Sequence, residues 1–470
     1  MWDLSKFASN IALQDEGGRC ITYDALDSAC KDFFSHINKR CLIFILCRNQ
    51  TGSVIGYVAS LNNRVVPVLL NADLDPDLLN SLIQVYKPAY LWVPKDKTGL
   101  FAEYETAYSE WDYSLIRTAF DTEYPLFDEL CLMLTTSGST GSPKFVRQSY
   151  KNVESNANSI VEYLKIDSNE RPITTLPMNY TYGLSIINSH LLAGARILLT
   201  DKGLMQKEFW NFFKEAEATS FGGVPYTYEM LDKLRFTRMQ LPNLRYMTQA
   251  GGKITTELHR KFAQYASDSG KQFIVMYGQC EATARMGYLP AEKSLEKCGS
   301  MGIAIPGGRF ELVDTSGNLI DKPDTAGELV YYGDNVTLGY AENGEDLIKG
   351  DERTGVLHTG DVAQFDKDGF YYIVGRMKRF LKIFGNRVNL DEAERLIKSE
   401  FSSVDVACGG VDDKMYIFIT NNRYADEVRS FVSAKTGLNS SAFKVVEIPA
   451  VPKNDSGKTL YRELEKYYEF

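Results

Sequence analysis

Between residues 42 and 93, short apolar runs alternate with stretches of helical period, and this alternation restricts the fold more than any other feature. Leu42-Ile43-Phe44-Ile45-Leu46 reads as a buried strand, and Val54, Tyr57, Val58 and Leu61 then recur at helical spacing. Val65 to Leu70 is a second apolar strand. Asp75-Pro76 starts a helix with Leu78, Leu79, Leu82, Ile83 and Tyr86 on one face, and the strand Tyr90-Leu91-Trp92-Val93 closes the series. Strand, helix, strand, helix, strand predicts parallel pairing through right-handed crossovers.

The chain has 470 residues, 44% of them hydrophobic, which is enough for two or three domains of a soluble globular protein. Its net charge of −9 gives no support for binding nucleic acid or an anionic membrane, so an anionic ligand needs a local basic site such as Lys144. No basic-then-apolar leader and no apolar run of about 18 residues is present, so neither a signal peptide nor a membrane span is expected. The eight cysteines are scattered, with no C-x-x-C and no histidines at metal spacing. That usage predicts a reducing, cytoplasmic compartment and no zinc site.

The pattern resumes with a helix near 151–164 and strands at 173–176, 196–200, 244–248 and 273–276. Several of these strands end in turn signals: Leu176-Pro177, Ala250-Gly251-Gly252 and Tyr277-Gly278. Ligands of open α/β sheets bind outside the carboxyl ends of strands, so these loops are candidates for one shared crevice. From Cys298 to Gly375-Arg376, glycines, turns and short alternating strands predict β-rich structure. After Phe380 the texture changes again. Asn389 caps a predicted helix at 390–400, strands follow at 404–409 and 415–420, then a helix near 425–436 and a charged C-terminal helix. The expected class is α/β, with a large N-terminal domain over 1–378 and a small α+β domain over 379–470. The latter is about the size of an independent domain. The charged stretch Arg376-Met377-Lys378-Arg379 joins them.

Thr135-Thr136-Ser137-Gly138-Ser139-Thr140-Gly141-Ser142-Pro143-Lys144 follows the apolar run Leu132-Met133-Leu134. Glycines permit close backbone approach, neighbouring N–H groups form an anion nest, hydroxyls add donors and Lys144 adds charge. The combination suits a polyphosphate, although a flexible linker has the same composition. It is not the G-x-x-x-x-G-K-[ST] loop of P-loop NTPases, because Lys144 follows Pro143.

Four further stretches follow in order: Tyr277-Gly278-Gln279-Cys280-Glu281; Gly327-Glu328-Leu329; Thr359-Gly360-Asp361 with Gly375-Arg376; and Pro452-Lys453-Asn454-Asp455-Ser456-Gly457-Lys458. Any one alone is weak; five in order are specific. Together they resemble the adenylate-forming superfamily of acyl-CoA synthetases, firefly-type luciferases and peptide-synthetase adenylation domains. The resemblance implies an acid–thiol ligase with stacked α/β subdomains and a mobile C-terminal domain. Such an enzyme activates a carboxylic acid with ATP to an acyl-adenylate, releases pyrophosphate and passes the acyl group to coenzyme A or a carrier-protein phosphopantetheine. The expected partners are therefore a small carboxylate, ATP with Mg2+, and coenzyme A or an acyl carrier protein.

The same resemblance assigns roles. Thr136, Ser137, Gly138, Ser139, Thr140, Gly141 and Lys144 would hold the β- and γ-phosphates. Gly251, Gly252, Tyr277, Gly278, Gln279 and Cys280 would surround the nucleotide, with Tyr277 facing adenine. Glu281 would hold Mg2+ and share the catalytic work with Lys458, which would bridge the carboxylate and the α-phosphate. Asp361 would accept from the ribose hydroxyls, with Arg376 beside it. Tyr180, Thr181, Tyr182 and Gly183 would line the acyl pocket. The C-terminal domain would pivot at Lys378, bringing the loop containing Lys382 and Gly385 to the thiol's approach.

Three departures stand out. Cys280 replaces the usual threonine, and a thiol is the weaker donor. Tyr180 replaces the usual histidine, and Tyr461 stands where arginine is common. The absence of an aspartate close to Thr181 weighs against an α-amino acid substrate, whose ammonium would be buried unpaired. Tyr180 and Tyr182 favour a modest, partly polar or aromatic carboxylate. Transfer of the adenylate to an amine or hydroxyl, and a non-catalytic nucleotide-binding relative, are the alternatives.

Overall fold

The computed structural model describes residues 1–120, 125–135, 144–377, 379–383, 386–454 and 459–468. The chain divides into two compact units, Met1–Arg309 with Tyr331–Leu357, and Phe310–Val330 with His358–Phe470. The charged stretch at 376–379 therefore lies within the second unit.

The first unit is built on the expected parallel strands. Leu42–Cys47 is flanked in parallel by Val66–Asn71 and Tyr90–Pro94. All six of its residues are buried, as a strand covered on both faces requires. Leu130–Thr135 pairs in parallel with Val66–Asn71, and Phe145–Ser149 returns antiparallel to it, with Thr135 opposite Phe145. The strands at both ends of the glycine- and hydroxyl-rich loop are thus hydrogen-bonded to each other.

Helix Thr51–Asn62 is buried from Thr51 to Leu61, well beyond the single face its apolar spacing suggests. Small residues explain the close packing. A Cβ on Gly56 would stand 2.4 Å from Trp92 Cδ1, and the Trp92 indole N–H donates to the Gly52 carbonyl at 2.7 Å.

A second sheet of the first unit runs Ser220–Gly223, Tyr246–Gln249 and Gln272–Tyr277 in parallel, continued by the antiparallel strands Gly287–Tyr288 and Ile303–Ala304. Residues 173–176 are not the strand the sequence predicts. They contribute only bridges, Pro172 to Ser220 and Ile173 to Leu198. Pro172 and Pro177 lack the N–H groups a longer ladder would use. Ile197–Leu199 also pairs in parallel with Ile11–Asp15, near the N-terminus.

In the second unit, helices Leu390–Glu400 and Ala425–Thr436 pack on the sheet Val406–Val411, Lys414–Ile419 and Phe443–Glu447 around one apolar core. The predicted C-terminal helix is corrected to a 3-10 segment, Tyr461–Tyr467. Tyr461, Leu464 and Tyr467 pack on the core at a spacing of three, the period of a 3-10 helix. Among the described residues no helix is long and apolar enough to cross a membrane. All eight cysteines are free thiols.

Candidate active site

The tightest piece of backbone in the first unit follows strand Gln272–Tyr277. Gly278 lies against the returning chain so closely that a Cβ there would stand 1.5 Å from the Ala284 carbonyl oxygen. Thr283 and Ala284 take φ of +56° and +112°, and the Met286 N–H donates to the Tyr277 carbonyl at 2.8 Å. This closed turn holds Tyr277, Gln279, Cys280 and Glu281. Gln279 Nε2 donates to Tyr277 Oη at 3.2 Å.

Glu281 is fixed from a distant part of the same unit. Tyr340 Oη donates to its Oε1 at 2.7 Å, and its main-chain carbonyl accepts from Thr337 N at 3.0 Å, Thr337 Oγ1 at 2.9 Å and Arg353 Nη1 at 3.1 Å. Burial first, then the Glu281 charge, push the Tyr340 phenol up to about 12, so it stays a donor. Two cations face the Tyr340 ring: Lys144 Nζ at 3.8 Å and the Arg353 guanidinium at 4.6 Å from its centroid. Lys144 also lies 3.6 Å from Glu342. The structure therefore brings Lys144 and Glu281 to one aromatic ring. Tyr340, Thr337 and Arg353 carry no motif of their own at this site, and sequence reasoning missed them.

Cys280 is buried, and its Sγ lies 3.9 Å from the Thr135 carbonyl, joining the closed turn to the strand that leads into the glycine- and hydroxyl-rich loop. Thr136, Ser137, Gly138, Ser139, Thr140 and Gly141 lie outside the described residues.

Tyr180 precedes helix Thr181–Leu192, whose first residues Thr181 and Tyr182 are buried. Gly183 is required here, since a Cβ would stand 2.3 Å from the Pro177 carbonyl oxygen. Tyr182 Oη shares a hydrogen bond of 2.7 Å with Thr248 Oγ1. Gly251 has φ +81°, and a Cβ on it would meet Tyr180 Oη at 2.6 Å. Gly252 accepts at its carbonyl from Gln249 Nε2 at 2.9 Å. The expected acyl-pocket residues and the expected nucleotide glycines are thus neighbours. Burial raises the Tyr180 phenol well above its ordinary value, so this residue can donate a hydrogen bond but is no base at neutral pH.

In the second unit, Asp361 and Arg376 are cross-strand partners, and the buried carboxylate meets Arg376 Nε at 3.3 Å. Thr359 Oγ1 accepts from the Asp361 N–H at 3.1 Å and donates to the Leu329 carbonyl at 2.7 Å. Glu328 pairs with His358 at 3.2 Å. The stretches containing Gly327-Glu328-Leu329 and Thr359-Gly360-Asp361 therefore form one local arrangement. Lys378, Gly385, Lys458 and the Lys382 side chain lie outside the described residues.

The donor set suits Mg2+ better than a transition metal. Mg2+ takes one or two protein carboxylates and fills its shell with phosphate and water. Among the described residues Glu281 Oε2 has no hydrogen-bond partner, and no group of three or more metal-ligating side chains occurs.

Over 364 residues, the chain is 28% identical to an oxalate–CoA ligase of Arabidopsis thaliana, covering 73% of this chain and about two thirds (68%) of that enzyme. It is also 28% identical over 362 residues to a 2-succinylbenzoate–CoA ligase of Bacillus mycoides, covering 75% and 73%. The solved o-succinylbenzoate CoA synthetase of Bacillus subtilis, in complex with its acyl-adenylate intermediate, shares the fold with a TM-score of 0.79. Its identity is 22%, covering 98% of this chain and 97% of that one. The AMP-binding enzyme family matches residues 2–341. The chain belongs to the AMP-binding enzyme family.

Proposed function

We propose that the protein is an AMP-forming acid–thiol ligase. In the first half-reaction a carboxylate oxygen attacks the α-phosphorus of ATP, the bond to the β-phosphate oxygen breaks, and pyrophosphate leaves. In the second a thiol sulfur attacks the acyl carbon, its proton passes to solvent, and AMP leaves. Coenzyme A is the acceptor we favour, because the relatives above are CoA ligases. The phosphopantetheine arm of a carrier protein presents the same thiol and is the finer alternative. The acids named for those relatives, oxalate and 2-succinylbenzoate, are too unlike each other to name the acid here.

The observation that carries this reading is the closed turn at 277–284 with Glu281 and Lys144 gathered on Tyr340. In this reading the glycine- and hydroxyl-rich loop holds the leaving pyrophosphate, with Thr136 to Gly141 and Lys144 as its donors. Tyr277, Gln279, Cys280, Gly251 and Gly252 shape the nucleotide site, and Asp361 accepts from the ribose beside Arg376. Glu281 holds Mg2+, which when bound offsets charge on the phosphate oxygens. Lys458 is the cation at the reacting centre, where charge of both anions concentrates. Tyr180, Thr181, Tyr182 and Gly183 line the acid site. Residues 379–470 form the mobile domain, with Lys378 as pivot and the loop of Lys382 and Gly385 along the thiol's path.

Exchange of labelled pyrophosphate into ATP, screened over aliphatic, hydroxy, aromatic and amino acids, tests the first step. Offering coenzyme A, carrier protein and hydroxylamine separately then identifies the acceptor. Failure of every acid to drive exchange would overturn the reading.

A further inference from the structure

Arg285 is 2% exposed, yet among the described residues it forms no ion pair. The arginines nearest to it in burial are neutralised: buried Arg147 by Glu352, and partly buried Arg379 by Asp391 and Glu394. The contacts of Arg285 are all neutral. Nε donates to Ser185 Oγ at 3.0 Å, Nη1 to Tyr163 Oη at 3.0 Å and towards Met276 Sδ at 3.3 Å, and the guanidinium lies 5.2 Å from the Tyr182 ring centroid. Nη2 has no hydrogen-bond partner among the described residues. Tyr163 and Tyr182 cannot supply the missing charge, since burial pushes both phenols up, Tyr182 to about 12. Taking an ion out of water without a counter-ion is among the costliest arrangements a fold can hold.

The position of this cation indicates where the counter-ion comes from. Tyr182 and Ser185 belong to the first turns of helix Thr181–Leu192, the wall of the proposed acid site. Arg285 also leaves the turn that carries Glu281, directly after Thr283 and Ala284 with φ of +56° and +112°. Non-glycine residues in such conformations are costly and cluster at ligand sites. One strained turn thus presents Glu281 at one end and an unneutralised guanidinium at the other.

We propose that Arg285 pairs with a second anionic group of the acid substrate, so that the enzyme selects dicarboxylic acids, adenylating one carboxylate while Arg285 holds the other. This rests on the adenylation reading above. A site built around a buried charge rejects the analogue lacking the partner charge, because the cation is then left unpaired.

The test is pyrophosphate exchange with matched pairs of acids, each dicarboxylate against the monocarboxylate of equal carbon number. It is run on the wild type, on Arg285→Met (similar length, no charge) and on Arg285→Lys. The wild type is expected to favour a dicarboxylate by about 100-fold or more in kcat/KM. Arg285→Met is expected to lose that preference, mainly through KM, and Arg285→Lys to keep part of it. The dicarboxylate alone should raise the melting temperature of the wild type and not of Arg285→Met, while a shift with MgATP shows that the variant is folded. Exchange driven by monocarboxylates only would overturn this inference and leave the adenylation reading standing. Exchange with no acid would overturn both. An unchanged preference in folded Arg285→Met would remove Arg285 from the acid site, and if that variant does not fold, the wild-type preference and the Arg285→Lys profile still decide.

Discussion

Cys280 sits with its sulfur 3.9 Å from the Thr135 carbonyl, at the point where the closed turn meets the strand leading into the glycine- and hydroxyl-rich loop. A hydroxyl in that place would donate more strongly than a thiol. Cys280→Thr is therefore expected to lower KM for MgATP by about two- to five-fold, the yield of roughly 0.5–1 kcal/mol from a better hydrogen bond. Pyrophosphate exchange against ATP concentration reads it, and unchanged kinetics would make the position mere packing. Tyr340 supports the opposite experiment. Tyr340→Phe removes the donor to Glu281 and leaves the ring against Lys144 and Arg353. Losing a hydrogen bond to a charged group should weaken MgATP by about 1.5–3 kcal/mol, roughly 10- to 150-fold in KM. A shift in ATP affinity with no change in the magnesium dependence would count against Glu281 as the metal ligand. Glu281 was legible from its motif because its neighbours in sequence are its neighbours in the turn. Tyr340 and Arg353 were not, because they reach it across 59 and 72 residues of chain.

The closed turn and the Arg379 cluster decide what an element tolerates. Gly278→Ala would drive a methyl into the Ala284 carbonyl, backbone against backbone, so the turn must open. Overpacking of this kind costs about 1–3 kcal/mol. The expected result is a lower melting temperature together with a larger loss of exchange activity, because Glu281 moves with the turn. In the second unit, Glu394 accepts from Arg379 Nη2 at 2.5 Å, the Cys408 N–H at 2.6 Å and Tyr461 Oη at 3.1 Å, while Arg379 stacks 3.5 Å over the Tyr461 ring. Tyr461, where the family commonly has arginine, thus leaves Arg379 as the cation of this cluster. Glu394→Ala leaves Arg379 with Asp391 alone and strands two donors, and should destabilise by about 1–3 kcal/mol, read from urea unfolding. Elements with a clean period were legible: Leu42–Cys47 is buried along its whole length, and Ala425–Thr436 has its expected bounds. The segment at 173–176 misled because an apolar run flanked by prolines cannot complete a ladder. The C-terminal segment misled because its core contacts, Tyr461, Leu464 and Tyr467, recur at a spacing of three, which suits a 3-10 helix and not an α-helix.

At the scale of the molecule, the expected division at Lys378 and the compact units mark different things. The second unit begins with Phe310–Val330 and resumes at His358, so it includes Asp361, Arg376 and Met377 as well as the C-terminal fold. Sequence texture marks the change of composition near Phe380, whereas the compact division falls within the strands Gly327–Gly333 and Val356–Phe365. Within the second unit the chain is tied on both sides of residue 378. The Met377 N–H donates to the Gly360 carbonyl at 2.8 Å, and Arg379 is bound to Asp391 and Glu394. The domain-alternation proposal puts the pivot in the bond rotations at Lys378. Proline at 378 fixes φ near −65° and removes that freedom. With Lys378→Pro, adenylation, measured as pyrophosphate exchange or as hydroxamate in hydroxylamine, should stay within about three-fold of wild type. Thioester formation should fall by about 100-fold or more if a change at this position gates the second half-reaction. Lys458→Ala is the complementary change, expected to reduce exchange by about 100- to 1,000-fold, as loss of one charge-stabilising donor does. Equal loss of both half-reactions in Lys378→Pro would mean that residue 378 is a structural joint, and that one arrangement of the chain serves both steps.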